Sequence, residues 1–96
     1  MAAYVIGAIS SIKDPAGFAD YVKLAVPTLE KYGGKVMAGG NKIEVADGSW
    51  SPVGAIIVQF ESLQRAKAWY NSPEYSAVKG RRFRTAESGV IFLDEG

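Results

Sequence analysis

Two residue types that carry out much of protein chemistry are absent from this 96-residue chain, which has no cysteine and no histidine. Without cysteine it cannot form a disulfide, a thiolate nucleophile or a CxxC redox pair. Without histidine it cannot build a Ser-His-Asp relay, and it lacks the usual zinc and haem ligands. Proton transfer near neutral pH would therefore need an Asp, Glu, Lys or Tyr whose pKa is shifted by its surroundings.

A strong charge of either sign is also missing, because the net charge is +1. The electrostatic footprint of a protein that binds nucleic acid or an anionic membrane is therefore absent. One basic cluster near the C-terminus has neither aromatic platforms nor a Gly-rich loop, so we predict no nucleic-acid partner; it comprises Lys79, Arg81, Arg82 and Arg84. The carboxylates have no EF-hand-like spacing, and we predict no metal and no cofactor.

Long apolar runs are missing too. No stretch approaches the roughly 18 apolar residues of a membrane span. The N-terminus also lacks the basic start and apolar core of a signal peptide. We therefore expect no membrane association and a cytoplasmic location. With 48% hydrophobic and 22% charged residues, residues 1–96 are predicted to form one globular domain.

The chain does contain three short runs that are apolar at every position, at residues 4–6, 55–58 and 90–93. Alternate side chains of a strand point to opposite faces, so both faces of these strands require cover. The predicted helices supply only one layer. A second copy of the chain is the simplest source of the other, and we predict a homodimer. The alternative is a monomer in which Gly7 and Ala8 leave a shallow, tolerable face.

Capping residues mark the helix starts. Asp14, Ser62 and Ser72 can each accept a hydrogen bond from the first turn of a following helix. The first helix should end at Gly33, and Pro27 should kink or interrupt it near residues 23–26. The helix that follows Ser72 is predicted to run to about residue 86.

Strands are predicted at residues 3–11, 35–38, 42–46, 55–60 and 90–93. The separator at residues 39–41 is either a tight hairpin turn or a bulge in one long, bent strand. With the two pieces at residues 35–46 counted as one strand, the order of strands and helices is βαββαβ. This order is typical of the ferredoxin-like α+β fold, a four-stranded antiparallel sheet whose first and third strands are central. Right-handed crossovers would place the helices on one side of it.

These residues together resemble one family, known as domain of unknown function 1330, in the dimeric α+β barrel superfamily. The resemblance covers nearly the whole chain and rests on Asp14-Pro15, residues 31–34, Gly39-Gly40, the run Trp69-Tyr70-Asn71-Ser72-Pro73-Glu74-Tyr75, and Arg82. It implies a ferredoxin-like protomer that pairs through its sheet. The family has no settled activity, so the resemblance implies a fold and leaves the function open.

The superfamily includes cofactor-free monooxygenases, small isomerases and haem enzymes. A haem role transfers poorly, because the histidine of those relatives has no counterpart here. Cofactor-free oxygenases pair aromatic residues with an Asn or Arg, and Trp69, Asn71 and Arg82 are of the right types. By this analogy they are candidates for a ligand pocket.

The residues themselves also nominate Tyr75 and Arg82, which lie seven positions apart on one face of the last helix. An arginine on a packing face needs a partner, which can be a carboxylate, strand-end carbonyls or a ligand anion. Trp69 is either core or pocket wall. Tyr4 joins the candidates if its face of the first strand borders the cavity, a choice the pattern leaves open.

Two functions remain open. In the first, the dimer binds a small apolar or aromatic molecule and possesses cofactor-independent isomerase or monooxygenase activity. Arg82 would then hold an oxyanion while a Tyr or carboxylate moves the proton. In the second, the protein is a non-enzymatic binding or interaction module whose dimer core is simply filled.

Overall fold

Residues 2–96 are described by the computed structural model, and Met1, the first residue of the predicted domain, lies outside them. The elements in chain order are β1 (Ala3–Ile12), α1 (Pro15–Lys31), β2 (Lys35–Gly40), β3 (Gly54–Phe60), α2 (Leu63–Tyr70), α3 (Pro73–Thr85) and β4 (Ala86–Asp94). The predicted βαββαβ order is confirmed, with the second helical segment divided into α2 and α3. The final strand begins four residues earlier than predicted.

The four strands form one antiparallel sheet in the order β2-β3-β1-β4. The first and third strands are central, as predicted, and β1 pairs with both β3 and β4. Val5 lies opposite Val58 and Phe92, whereas its neighbour Ile6 lies opposite Ile57 and Ile91. Since directly paired residues share a face, these two rows mark the two sides of the sheet.

The predicted caps are confirmed. Asp14 Oδ1 accepts a hydrogen bond from the backbone N–H three residues later at 3.0 Å, and Ser62 and Ser72 do the same at 3.2 and 3.1 Å. Gly33, just beyond the end of α1, has a φ of +81°, a conformation that glycine adopts without steric cost.

Pro27 does not interrupt α1, so an interruption near residues 23–26 was a wrong expectation. The helix is continuous from Pro15 to Lys31. Proline removes the N–H that would bond to the carbonyl four residues earlier, which belongs to Lys23. Lys23 and Pro27 are both exposed, and water can therefore replace the lost donor.

The segment that follows β2 also differs from the prediction. β2 continues to Gly40, and residues 41–53 form no regular strand, so the strand predicted at 42–46 was wrong. The hairpin or bulge expected at residues 39–41 was wrong as well, because the register shift lies earlier, between Val36 and Ala38. β2 lies at one edge of the sheet and pairs with β3, and residues 42–46 do not form a hairpin on its other side.

The two sides of the sheet differ sharply in cover. The side that carries Val5, Val58 and Phe60 packs against the helices and forms the core, where these side chains are at most 3% exposed. On the other side, Ile57 and Ile91 are 37% and 60% exposed. We call this second side the open sheet face; its residues are Tyr4, Ile6, Ala8, Ala55, Ile57, Gln59, Gly89, Ile91 and Leu93.

None of the helices within residues 2–96 combines the length and the apolar character that crossing a bilayer requires.

Candidate functional site

A cavity of about 560 Å³, partly open to solvent, lies between the helix-covered side of the sheet and helices α1 and α3. Gly7 and Ile9 of β1 form part of its floor, and Val22 and Leu29 of α1 form part of its wall. The cavity lies within a single protomer, on the side of the sheet that carries Val5 and Gly7.

The cavity is mostly apolar, and its polar end is the part where Tyr21 of α1 meets Tyr75 and Arg82 of α3. Asn41, and Ser88 of β4, also line the cavity. The hydroxyl oxygens of Tyr21 and Tyr75 are 2.7 Å apart, and Arg82 Nη1 donates to the Tyr75 hydroxyl oxygen at 3.0 Å. We call Tyr21, Tyr75 and Arg82 the Tyr-Tyr-Arg chain. It joins two helices through three side chains.

Arg82 is a buried cation without a carboxylate partner. Its exposure is 7%, and the ion pairs found among residues 2–96 are Lys13–Glu87 and Lys31–Glu74. Burial lowers the pKa of Arg82, but the neighbouring Tyr75, Tyr21 and Tyr70 together more than offset this, so the pKa is raised and the guanidinium remains charged. Its Nε is buried without a hydrogen-bond partner in this part of the chain.

Tyr75 cannot supply the missing negative charge. It is fully buried, and burial, reinforced by the neighbouring Tyr21, raises the pKa of its hydroxyl well above the ordinary value. The phenol is therefore protonated at neutral pH. Its oxygen accepts from Arg82 while its hydroxyl group keeps one proton to donate.

Ser88 supplies a second unpaired polar atom. Its Oγ is buried with no hydrogen-bond partner among the described residues, and the residue pairs with Ile9 on the helix-covered side of the sheet. Neither Ser88 nor Tyr21 was predicted from the sequence as a site residue. Ser88 had a detectable signal, since it shares the inward alternation of Val90 and Phe92. Tyr21 had none, because it matched the apolar face of α1.

Three of the five residues proposed from the sequence meet at the cavity: Trp69, Tyr75 and Arg82. Trp69 is 5% exposed, and its indole Nε1 donates to the Thr28 hydroxyl at 2.9 Å. Its ring centroid lies 4.2 Å from that of Tyr75. Trp69 is thus both a core residue and part of the pocket wall, where it packs against Tyr75.

The structure places the other two proposed residues elsewhere. Asn71 is exposed at the C-terminal end of α2, where its side-chain nitrogen donates to the Lys67 carbonyl at 3.1 Å. Tyr4 lies on the open sheet face, with its hydroxyl 3.4 Å from Gln59 Nε2 and 3.5 Å from Glu95. Neither side chain lines the cavity.

The lining of the cavity limits the chemistry that it can support. No Asp or Glu is among its lining residues, so a carboxylate cannot act there as the general base. Elsewhere in residues 2–96, no three Asp or Glu side chains gather into a group that could hold a metal ion. What the site offers is a buried positive charge and phenolic hydroxyl groups, a set that stabilises negative charge on oxygen.

A family model described as domain of unknown function (DUF1330) matches residues 2–95. This chain belongs to that family. No curated protein sequence matches it.

Solved structures with low sequence identity share the fold. A protein of unknown function from Rhodopseudomonas palustris has 18% identity and a TM-score of 0.80, over 99% of this chain and 82% of that one. A hydroxynitrile lyase from Passiflora edulis has 13% identity and a TM-score of 0.74, over 99% and 94%. SnoaB, a cofactor-independent oxygenase from Streptomyces nogalater, has 9% identity and a TM-score of 0.71, over 99% and 93%. Ferredoxin-like neighbours from Bacteroides fragilis and Thermobifida fusca are described as dimeric.

Proposed function

We propose that this protein binds a small, largely apolar organic molecule in the cavity between its sheet and helices α1 and α3. The observation that carries the proposal is Arg82, a buried guanidinium that faces no carboxylate and sits at the polar end of an apolar cavity. A buried charge without a partner lowers stability, and a bound ligand can supply the partner.

The dimensions and the lining of the cavity fit this role. Small-molecule sites are typically concave and mostly apolar, have volumes of roughly 300–1,000 Å³, and carry a few polar groups that orient the ligand. The volume here is about 560 Å³, and Tyr21, Tyr75 and Arg82 converge within hydrogen-bond distance of one another. An apolar ligand would lie along Ile9 and Val22 with its polar atom next to Tyr75.

Chemistry without a cofactor is the natural extension of this role. Two neighbours of the same fold are named as a cofactor-independent oxygenase and a hydroxynitrile lyase. In this chain, a tyrosine hydroxyl is placed to donate a proton, and the buried charge of Arg82 would stabilise an oxyanion. Isomerisation or oxygenation of an electron-rich aromatic compound remains the proposed reaction type.

We also propose that the protein is a homodimer that buries the open sheet face. Ile57, Ile91 and Leu93 on this face are 37%, 60% and 52% exposed, and a second copy would cover them. The cavity lies on the opposite side of the sheet. A filled dimer core, as expected for an interaction module, is therefore compatible with an open ligand site in each protomer.

Ligand binding can be tested through the fluorescence of Trp69, whose ring packs against Tyr75. The chain has a second tryptophan, Trp50, which is 66% exposed, and Trp50→Phe would remove its signal. In that background, we expect 4-nitroanisole, a neutral aromatic quencher, to reduce the fluorescence with a saturable dependence on concentration. Asn71→Ala, an exposed change, should leave the saturation curve unaltered. Quenching that rises linearly without saturation would contradict a binding site.

A further inference from the structure

We infer that the ligand is an organic anion, a molecule with one carboxylate, phenolate or enolate oxygen on an apolar body. That oxygen would accept a hydrogen bond from the Tyr21–Tyr75 pair, and Arg82 would hold the charge behind it. The inference rests on the proposed function, because it names the chemical class of molecule that the same cavity takes.

The hydrogen-bond geometry leaves one phenolic proton for the ligand. Tyr75 accepts from Arg82 at 3.0 Å, and the two phenol oxygens, 2.7 Å apart, share one hydrogen bond. If Tyr75 donates in that bond, the proton of Tyr21 is free. If Tyr21 donates, the proton of Tyr75 is free. In both arrangements the pair presents one donor at the polar end of the cavity.

The charge balance of the cavity favours an anion over a neutral molecule. The exposed fraction of Arg82 is 7%, and no Asp or Glu side chain lines the cavity beside it. In surroundings of low polarity, an opposite charge interacts more strongly than it would in water. The hydrogen bond from Arg82 polarises the Tyr75 hydroxyl and makes it a better donor. The Tyr-Tyr-Arg chain thereby strengthens the hydrogen bond to an anionic ligand.

The two unpaired polar atoms point to the same conclusion. Arg82 Nε and Ser88 Oγ are buried without partners, and both residues line the cavity. Buried polar atoms in native proteins nearly always have a partner, and exceptions often mark functional sites. A ligand oxygen with several lone pairs, or a small shift of Arg82 on binding, would satisfy these groups.

The walls of the cavity separate an organic anion from an inorganic one. Most of its lining residues are apolar, among them Ile9, Val22 and Val90. A phosphate or chloride ion would leave the apolar side chains of the cavity wall in contact with water. An aromatic or aliphatic body fills the cavity, and transfer of that apolar surface out of water favours binding.

The inference can be tested with 4-nitrophenol, which ionises near neutrality and whose phenolate absorbs visible light. The probe would be mixed with an excess of protein so that it is bound. The absorbance of the bound probe would then be recorded across a pH titration. Burial in an apolar cavity alone raises the pKa of a phenol, whereas a nearby cation and hydrogen-bond donors lower it. We expect the pKa of the bound probe to lie below that of the free probe. A raised pKa would overturn the inference.

Substitutions identify the groups responsible. Arg82→Met should raise the pKa of bound 4-nitrophenol above that of the free probe, and Tyr21→Phe should weaken binding of the phenolate about tenfold. Arg81→Met, an exposed change next to Arg82, is the matched control and should alter neither value. If Arg82→Met fails to fold, Tyr21→Phe still provides the test, since Tyr21 is only half-buried. Unchanged phenolate affinity in Tyr21→Phe would contradict the assigned contact.

The neutral methyl ether, 4-nitroanisole, separates this inference from the proposed function. Saturable binding of the ether together with weaker binding of the phenolate would retain a small-molecule site and overturn the preference for an anion. Absence of binding by both compounds would overturn the proposed function itself. Displacement of 4-nitrophenolate by millimolar phosphate would contradict the requirement for an apolar body.

Discussion

Nη1 of Arg82 lies 3.0 Å from the hydroxyl oxygen of Tyr75, seven residues earlier on helix α3. Two turns of helix place both side chains on the same inward face, so a cation and a phenol are buried together. Neither side chain has a carboxylate partner among residues 2–96. Such an arrangement does not favour folding, and residues that lower stability often serve function.

Replacement of Arg82 should separate stability from binding. Arg82→Met keeps the length of the side chain and removes a buried, unpaired charge. We expect the free energy of unfolding to be unchanged or up to about 2 kcal/mol higher. Binding of the phenolate should fall at least about tenfold, since a charged hydrogen-bonded partner is lost. Urea denaturation and the absorbance titration measure the two effects. A marked loss of stability would mean that Arg82 serves the fold.

The floor of the cavity offers a steric test. A Cβ atom added at Gly7 would lie 3.3 Å from Cγ2 of Ile56, which borders the cavity and can shift into it. Gly7→Ala should therefore weaken binding of 4-nitroanisole while the free energy of unfolding changes by less than about 1 kcal/mol. Saturable quenching of Trp69 reports the affinity.

Gly89 is the matched control for that substitution. It lies on β4 opposite Ala8 of β1, on the open sheet face, and a Cβ atom added there meets nothing within 4 Å. Gly89→Ala should leave the affinity for 4-nitroanisole unaltered. Equal weakening by both substitutions would indicate an indirect effect on the sheet and would contradict the assigned location of the site.

The open sheet face predicts the mass in solution. By light scattering on a sizing column, we expect twice the chain mass of 10.3 kDa. Ile91→Glu places a charge on the most exposed isoleucine of that face and should reduce the mass to that of one chain. Leu24→Glu, at a position of α1 that is 43% exposed, should leave the mass unchanged. A wild-type protein that stays monomeric at high concentration would contradict the dimer.

Glu74 predicts a pH dependence of stability. Its carboxylate accepts hydrogen bonds from Lys31 and Tyr32 and lies in the first turn of α3, so its pKa falls from the ordinary 4.5 to about 2. A carboxyl whose pKa is lowered by folding stabilises the native state at pH values above 4.5. That stabilisation disappears as the pH falls from 4.5 towards 2.

Substitution isolates the contribution of Glu74. Glu74→Gln should lower the urea midpoint at pH 7 relative to the wild type, and the difference should shrink to near zero at pH 2. Glu61→Gln, at an exposed position, serves as the control. Its urea midpoint should differ little from that of the wild type, and the difference should not shrink between pH 7 and pH 2 as it does for Glu74→Gln. An unchanged difference between the two pH values would contradict the assigned ion pair.

Much of the fold could be predicted because its signals are local. Asp14, Ser62 and Ser72 each bond within their own first turn, so helix starts follow from three or four adjacent residues. Strand pairing was less predictable: residues 42–46 have the alternation of a strand, but a strand also needs a hydrogen-bonded neighbour, and local alternation does not show whether one is present.

The candidate site was only partly predictable for the same reason. The seven-residue spacing of Tyr75 and Arg82 on one helix was sufficient to nominate both. Tyr21, from another helix, meets Tyr75 across 54 positions of sequence, and no local pattern indicates that contact. Asn71 has a residue type suited to a pocket, but its place at the exposed end of α2 directs it to a backbone carbonyl.

The sequence by itself determined the order of elements, the two-faced central strands and the lack of thiol and imidazole chemistry, because these depend on composition and on contacts between near neighbours. Only the tertiary structure decided that the cavity lies between helices and sheet, that its polar end combines Tyr21, Tyr75 and Arg82, and that no carboxylate accompanies the buried cation. Those features depend on which distant residues the packing of α1 and α3 against the sheet brings together.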